Sequence, residues 1–516
     1  MLGAVALAGA AVHGLVFVDR ARRPGAEAGA GSASAPPRRA RVLALDALAV
    51  EQATRDGRGG AESALKDAVN GWSRRIAADP ASIDDRLRLI DAILRLAGWL
   101  EERGRWEEAE RHLDRGSLAC LVLPIVSQGE PRITRKLALV LDRQGGVLEA
   151  MGRLTESLET RARAAAAARG IVESPARTPD DVRALIVVLL HSAEALEASN
   201  RAAEAAATLD EARRASASLG DNRTLETQDL ELAALVFDRS AAISPMRSGS
   251  RVEARNWLER AVAMRERAVG LLRSDTNPPV AAIDQALARL ADSETALARL
   301  LVRDRLIDRA VALARRALDH ESERPPRAGS VADQHARGRA LIDLAQTLRD
   351  KGDLAGALPH ARRGAAILLE LHSRDRVTRC VRVAASLAAW TLCDLELAAG
   401  DHRAAARAVG RYLEIEPAGY DEALESCRFL CRCASLAAAD LAVAEGYTRS
   451  ALAALKTAVE RGFRDRDELV RSPLYVVLRP RHEFDRILTD LAELDSLSGL
   501  STGHSSAIGS DHERTR

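Results

Sequence analysis

A short stripe of residues returns along this chain at nearly constant intervals, and few folds can accommodate such a pattern. A small residue is followed four places on by a larger one and three further on by another, usually small. The stripe reads Ala109-Leu113-Gly116, Ala205-Leu209-Ala212, Ala254-Leu258-Ala261, Ala405-Val409-Tyr412 and Ala451-Leu455-Ala458. Weaker copies are Ser157-Arg161-Ala164, Ala310-Ala314-Ala317 and Ala357-Ala361-Gly364. Their leading positions are separated by 48, 48, 49, 56, 47, 48 and 46 residues. Spacings of four and three put the three residues on one face of a helix. Small side chains there let a second helix approach closely. A fixed period of this length is the signature of a stacked repeat.

Turn signals stand just before most stripes: Arg103-Gly104-Arg105, Met151-Gly152-Arg153, Ser199-Asn200, Lys351-Gly352-Asp353 and Ala399-Gly400-Asp401. Glycine ends one helix and a short turn starts the next, which gives a helical hairpin. Pro417 follows the strongest copy where its second helix should stop. Aromatics are only 3% of the chain and β-branched residues are thin, so strands have little to form from. The pattern predicts an all-α chain, a solenoid of about eight helical hairpins over residues 82–495, preceded by a helical segment over 42–81.

The ends differ in composition. Residues 2–18 are an uncharged run that stops at Asp19-Arg20, with Arg22-Arg23 after it. Its length is at the short limit for crossing a bilayer, where about 20 residues is usual. A basic start is missing, which argues against a cleaved signal, and Ala33-Ser34-Ala35 lies far downstream as a cleavage site. The reading is a membrane anchor over 1–19, and the arginines after it place a single-pass body on the cytoplasmic side. Residues 20–41 read as a disordered linker and 496–516 as a disordered tail.

The segment Leu96 to Gly116, with Glu102-Arg103-Gly104-Arg105-Trp106-Glu107-Glu108-Ala109-Glu110, resembles the turn and second helix of tetratricopeptide (TPR) repeats, as does Leu395 to Pro417. A period near 48 exceeds the usual 34, so each helix should be a turn or two longer. This long form resembles the repeat region of planctomycete-like bacterial serine/threonine protein kinases. The closing stretch Ala458-Val459-Glu460-Arg461-Gly462-Phe463, then Ser472-Pro473-Leu474 through Arg481-His482-Glu483-Phe484, resembles the way those chains end. The Asn-Asn-Leu-Gly run common in that family's first helices is absent from this sequence. The resemblance implies a right-handed superhelix whose first helices line a concave groove for a protein or peptide.

Catalytic machinery is not visible in the sequence. There is no His-Arg-Asp, Asp-Phe-Gly or glycine loop of a kinase, no Gly-Lys-Ser/Thr phosphate loop and no His-Glu-x-x-His. No cofactor or metal is implied. Cys427 and Cys431 share a helix face, but no second pair or nearby His completes four ligands, so they read as packed apolar residues. Net charge is +1, which gives no field to draw the chain to nucleic acid. His191 falls on an apolar face and reads as an interfacial histidine.

Projected onto TPR geometry, the groove would receive Asp91, Glu101, Glu102, Asp142, Glu149, Glu194 and Glu197 from the first three repeats. The fifth and sixth would supply Arg299, Arg303, Arg339 and Arg349, and the seventh Trp390 and Asp394. A groove acidic first and basic later would suit a basic segment of a partner, with Trp390 as anchor. The expected role is a non-catalytic interaction scaffold or sensor, membrane-anchored and linked to serine/threonine kinase signalling. The alternative is a regulatory arm of an ATP-driven transcriptional regulator or other enzyme on a separate chain.

Overall fold

A computed structural model describes residues 60–121, 130–219, 225–243, 251–276, 279–324, 330–376, 378–415 and 419–503, with side chains described through residue 493. All regular structure among these residues is helical. The chain divides into two compact units, Met1–Pro279 and Val280–Arg516.

In the first unit α1 (Gly60–Ala78) is followed by four hairpins. These are α2 (Ile83–Glu101) with α3 (Trp106–Leu121), α4 (Pro131–Ala150) with α5 (Leu154–Val172), α6 (Pro179–Ala198) with α7 (Ala202–Ser218), and α8 (Thr227–Ile243) with α9 (Arg251–Ser274). The second unit holds four more: α10 (Val280–Arg303) with α11 (Ile307–Glu323), α12 (Val331–Lys351) with α13 (Leu354–Arg374), α14 (Arg379–Ala398) with α15 (His402–Leu413), and α16 (Tyr420–Leu436) with α17 (Leu441–Glu460). It closes with α18 (Arg466–Arg471), a 3₁₀ turn at Pro473–Tyr475, and α19 (His482–Gly503). Pro417 lies outside the described residues. The long interval of 56 in the stripe series spans α9 and α10, each 24 residues long where most others have 16 to 21.

Every stripe falls in the second helix of a hairpin, and its residues are buried. The chemistry of the stripe explains the closeness of the hairpin. At Gly364 of α13, a Cβ would stand 3.0 Å from Ile342 and 3.1 Å from the Gly338 carbonyl on α12. A methyl group there would be tight enough to push its neighbours back.

The turns are built alike. A residue in the left-handed region stands at Gly104 (φ 68°), Gly152 (φ 77°), Asn200 (φ 58°), Arg305 (φ 60°), Gly352 (φ 87°) and Gly400 (φ 83°). The amide that follows each of them reaches back to a carbonyl in the last turn of the helix, as in Arg105 N to Leu100 O at 3.0 Å and Leu306 N to Leu301 O at 2.9 Å. This arrangement satisfies carbonyls that the helix end would leave orphaned. Asp353, Asp401 and Asp440 then cap the next helix, accepting from Gly356, Ala404 and Val443 amides.

Within each unit, successive first helices touch one another: α2 with α4, α4 with α6 and α6 with α8, then α10 with α12, α12 with α14 and α14 with α16. The first helices therefore form one continuous face of each unit. α1 caps the first hairpin and buries Trp72 completely.

The expectation of a single-pass membrane protein is corrected by these helices. None among the described residues is long and apolar enough to cross a membrane. Helices α9 and α10 have the length, but α9 carries arginine and glutamate throughout and α10 presents charge on its exposed face. The run over 2–18 and the linker over 20–41 lie outside the described residues.

Candidate functional site: the face of the first helices

Most of the charges projected onto this face are paired with a side chain of the next repeat. In the first unit Asp91 of α2 meets Lys136 of α4 at 2.5 Å. Glu101 of α2 accepts two bonds from the Arg143 guanidinium of α4, at 2.7 and 3.1 Å. Asp142 of α4 meets His191 Nδ1 of α6 at 2.9 Å. Glu194 of α6 pairs with Arg239 of α8. In each case the carboxylate is on the earlier helix and the base on the next.

The second unit begins with the opposite sense. Arg299 of α10 grips Asp343 of α12 through bonds of 2.6 to 3.0 Å. Arg349 of α12 donates to Asp394 of α14 at 2.8 Å, and Arg432 of α16 reaches the other Asp394 oxygen at 3.2 Å. Gln346 donates to Thr391 at 2.8 Å in the same layer. What the sequence presents as an acidic stretch and then a basic one is this reversal in the direction of the pairs.

A second row runs near the helix starts. Arg135 of α4 binds Asp181 of α6 at 2.5 and 2.9 Å, and Arg183 of α6 binds Asp229 of α8 at 2.7 Å. Burial opposes ionisation of Asp181, yet its bonds from Arg135 and Thr178 hold the carboxyl below its ordinary value. These aspartates also stand in the first turn of their helices, where the dipole favours negative charge.

Room for the guanidiniums is made by glycine. A Cβ on Gly98 would meet Arg143 Nη2 at 2.5 Å, and one on Gly145 would meet Arg161 Cγ at 2.5 Å. Arg161 belongs to a stripe in α5. It bonds the Glu149 carboxylate at 2.7 Å and also donates to the His191 carbonyl, so Glu149 is held within its own hairpin and linked to the next.

The remaining projected residues are placed as follows. Glu197 ends α6 with Oε1 buried and no hydrogen-bond partner among the described residues. Burial raises its carboxyl above the ordinary value, against the pull of Arg239. Arg339 on α12 is half-buried, and burial lowers its guanidinium, with Asp343 acting the other way. Glu102 lies exposed at the α2–α3 turn, and Arg303 closes α10. Trp390 is half-buried on α14, edge-on to Phe429 with centroids 6.1 Å apart, and the Arg349 guanidinium lies 5.8 Å from its ring.

Sequence reasoning named one member of most pairs and missed the partners Lys136, Arg143, Arg239, Asp343 and Arg432. The signal was present as opposite charges recurring 38 to 45 residues apart. His191 is 5% exposed, so the Asp142–His191 pair is a packed link between helices and not a base open to solvent.

Comparisons with known proteins bear on this architecture. No family model matches the chain, and no curated protein matches it. Solved structures do. The apo form of RapI is similar over 78% of this chain and 98% of its own, at 12% identity and a TM-score of 0.45. A tetratricopeptide repeat protein from Parabacteroides merdae is similar over 66% of this chain and 97% of its own, at 11% identity and a TM-score of 0.34. A Signal Transduction ATPase with Numerous Domains carrying a tetratricopeptide repeat sensor, from Pyrococcus horikoshii, is similar over 85% of this chain and 56% of its own, at 10% identity and a TM-score of 0.40. At such identities the likeness is one of fold, TPR-like helical hairpins stacked in series.

Proposed function

We propose that the chain is a non-catalytic protein-interaction scaffold whose first-helix face receives a protein or peptide partner. The observation that carries this reading is the inter-repeat pairing itself. Arginine and glutamate side chains ordinarily lose much rotamer freedom when a partner docks. Here Glu101, Arg143 and Asp142 in the first unit, and Arg299 and Asp343 in the second, are already fixed against the next repeat, so the first-helix face of each unit is ordered before anything binds. A preorganised face of low net charge selects by shape and by a few accessible groups, the half-buried Trp390 among them. The link to serine/threonine kinase signalling, and the alternative of a regulatory arm for a separate ATPase, rest on sequence resemblance and on general fold.

The test is positional. A photo-crosslinking residue is placed in the full chain at Trp390 on α14, and separately at Gly410 on α15 of the same hairpin. A Cβ at Gly410 would meet nothing within 4 Å, so that position reports the opposite, solvent side. Capture of the same partner at 390 and its absence at 410 supports the proposal. Equal capture at both positions, or capture at 410 alone, contradicts it.

A further inference from the structure

The run of first helices ends abruptly. α16 has 17 residues, but beyond its hairpin, toward the C-terminus, it meets among the described residues only the 3₁₀ turn and, through Arg428–Glu468, the six-residue α18. The N-terminal half of α16 therefore lacks a full neighbour, and a cleft of about 420 Å³ remains between it and the turn around Gly462–Glu468.

Two aromatic rings border the cleft. Tyr420 and Phe463 have centroids 6.2 Å apart and planes tilted by 47°. Tyr420 is 41% exposed, and Leu424 also lines the space. Four carboxylates line it, Asp421, Glu425, Asp465 and Glu468, against two guanidiniums, Arg428 and Arg464. Both guanidiniums are already engaged. Arg428 pairs with Glu425 and Glu468 and donates to Tyr475 Oη at 3.1 Å. Arg464 donates to the Val459 and Phe463 carbonyls, both at 2.7 Å. Asp465 caps α18. Asp421 is exposed and makes no ion pair among the described residues. Arg428 is thus spent on Glu425 and Glu468 and Arg464 on backbone carbonyls, which leaves Asp421 and Asp465 as excess negative charge beside the exposed Tyr420 ring.

We propose that this cleft takes an arginine side chain of the partner, with its guanidinium against the exposed ring of Tyr420 and its charge met by Asp421. A planar guanidinium stacks on an exposed ring better than a compact ammonium does, and Phe463, buried behind Tyr420, backs that ring. The inference rests on the first-helix face being the partner surface, and it adds an end-point to that surface.

Fluorescein-labelled hexa-arginine is titrated into the full chain and followed by anisotropy, with hexa-citrulline as the uncharged counterpart. Tyr420→Ala and Asp421→Asn are compared with the unmodified chain, and Asp421→Lys serves as a second variant of the same residue. Circular dichroism melting establishes that each is folded. The expected result is binding of hexa-arginine but not of hexa-citrulline, weakened about two- to fivefold by each neutral substitution and more by Asp421→Lys. Binding of hexa-arginine that none of the variants alters overturns the cleft while leaving the face itself to the crosslinking test. Equal binding of hexa-citrulline, or no binding at low salt, also overturns the cleft.

Discussion

Asp142 and His191 are separated by 49 residues of chain, yet their side chains meet at 2.9 Å. The first sits on α4 and the second on α6, and between them the chain completes one hairpin and starts the next. The contact shows how the repeats are joined. Within each unit, a first helix carries charges whose partners wait about one period further along. Such pairs specify which helix faces lie together as well as holding them there.

The close approach of α12 and α13 gives a prediction in which one substitution has opposite signs at two sites. Gly364→Ala adds a Cβ about 3.0 Å from Ile342 and 3.1 Å from a backbone carbonyl that cannot move cheaply. Overpacking of this kind costs about 1–3 kcal/mol, against roughly 1 kcal/mol of better helix propensity. The melting temperature should fall. Gly170→Ala on α5 meets nothing within 4 Å and should raise it, through propensity alone. Thermal melting by circular dichroism checks both.

Arg305 occupies the left-handed region at φ 60°, in the turn position that glycine fills at 104, 152, 352 and 400. A residue with a Cβ is disfavoured there by about 1–2 kcal/mol. Arg305→Gly should stabilise the α10–α11 hairpin by up to about 1 kcal/mol once glycine's greater unfolded freedom is counted. Urea midpoints of the two proteins decide it. A lower midpoint for the glycine variant would mean that the arginine side chain holds the turn in some other way.

Glu294 on α10 is wholly buried, with Arg316 Nη2 at 2.6 Å and His320 Nε2 at 3.6 Å from its Oε1, both on α11. The nearby Glu294 carboxylate raises the His320 imidazolium above its ordinary value of 6.5, burial opposes it, and Glu323 adds Coulombic attraction. A base with a raised folded value contributes its stability fully below the unfolded value and loses it as pH climbs through the folded one. Melting temperatures of the unmodified chain and His320→Gln should therefore differ most below about pH 6 and converge above about pH 8. A gap that widens with rising pH would contradict the assignment. The comparison between the two proteins isolates His320 from His335 and His372, which burial pushes the other way.

The hairpins were legible because a stripe such as Ala405-Val409-Tyr412 has one use on a helix, and because Gly352 and Gly400 can end helices where other residues resist. The turn at Arg305 was not legible, since nothing in an arginine announces a left-handed backbone. The first-helix charges were half legible. Helical periodicity tells that Glu101 and Asp394 point to one face, but not the sideways register between helices some 45 residues apart. Arg143 and Arg432 are fixed by that register. The cleft beside Tyr420 was hidden for a related reason: it exists because α18 stops after six residues, which follows from Ser472 and Pro473 breaking the helix in their tertiary setting.

These charges bind repeat to repeat, most directly at Glu101–Arg143, where both side chains are largely shielded and the bond is two-pronged. Native-state hydrogen exchange of the α2 amides is measured for the unmodified chain, Glu101→Ala, Arg143→Ala and the double variant, giving a local opening free energy for each. The predicted result is a coupling of about 1 kcal/mol or more, so that the second substitution costs little once the first is made. Losses that add within about 0.3 kcal/mol would show that the two residues stand together without holding the repeats together.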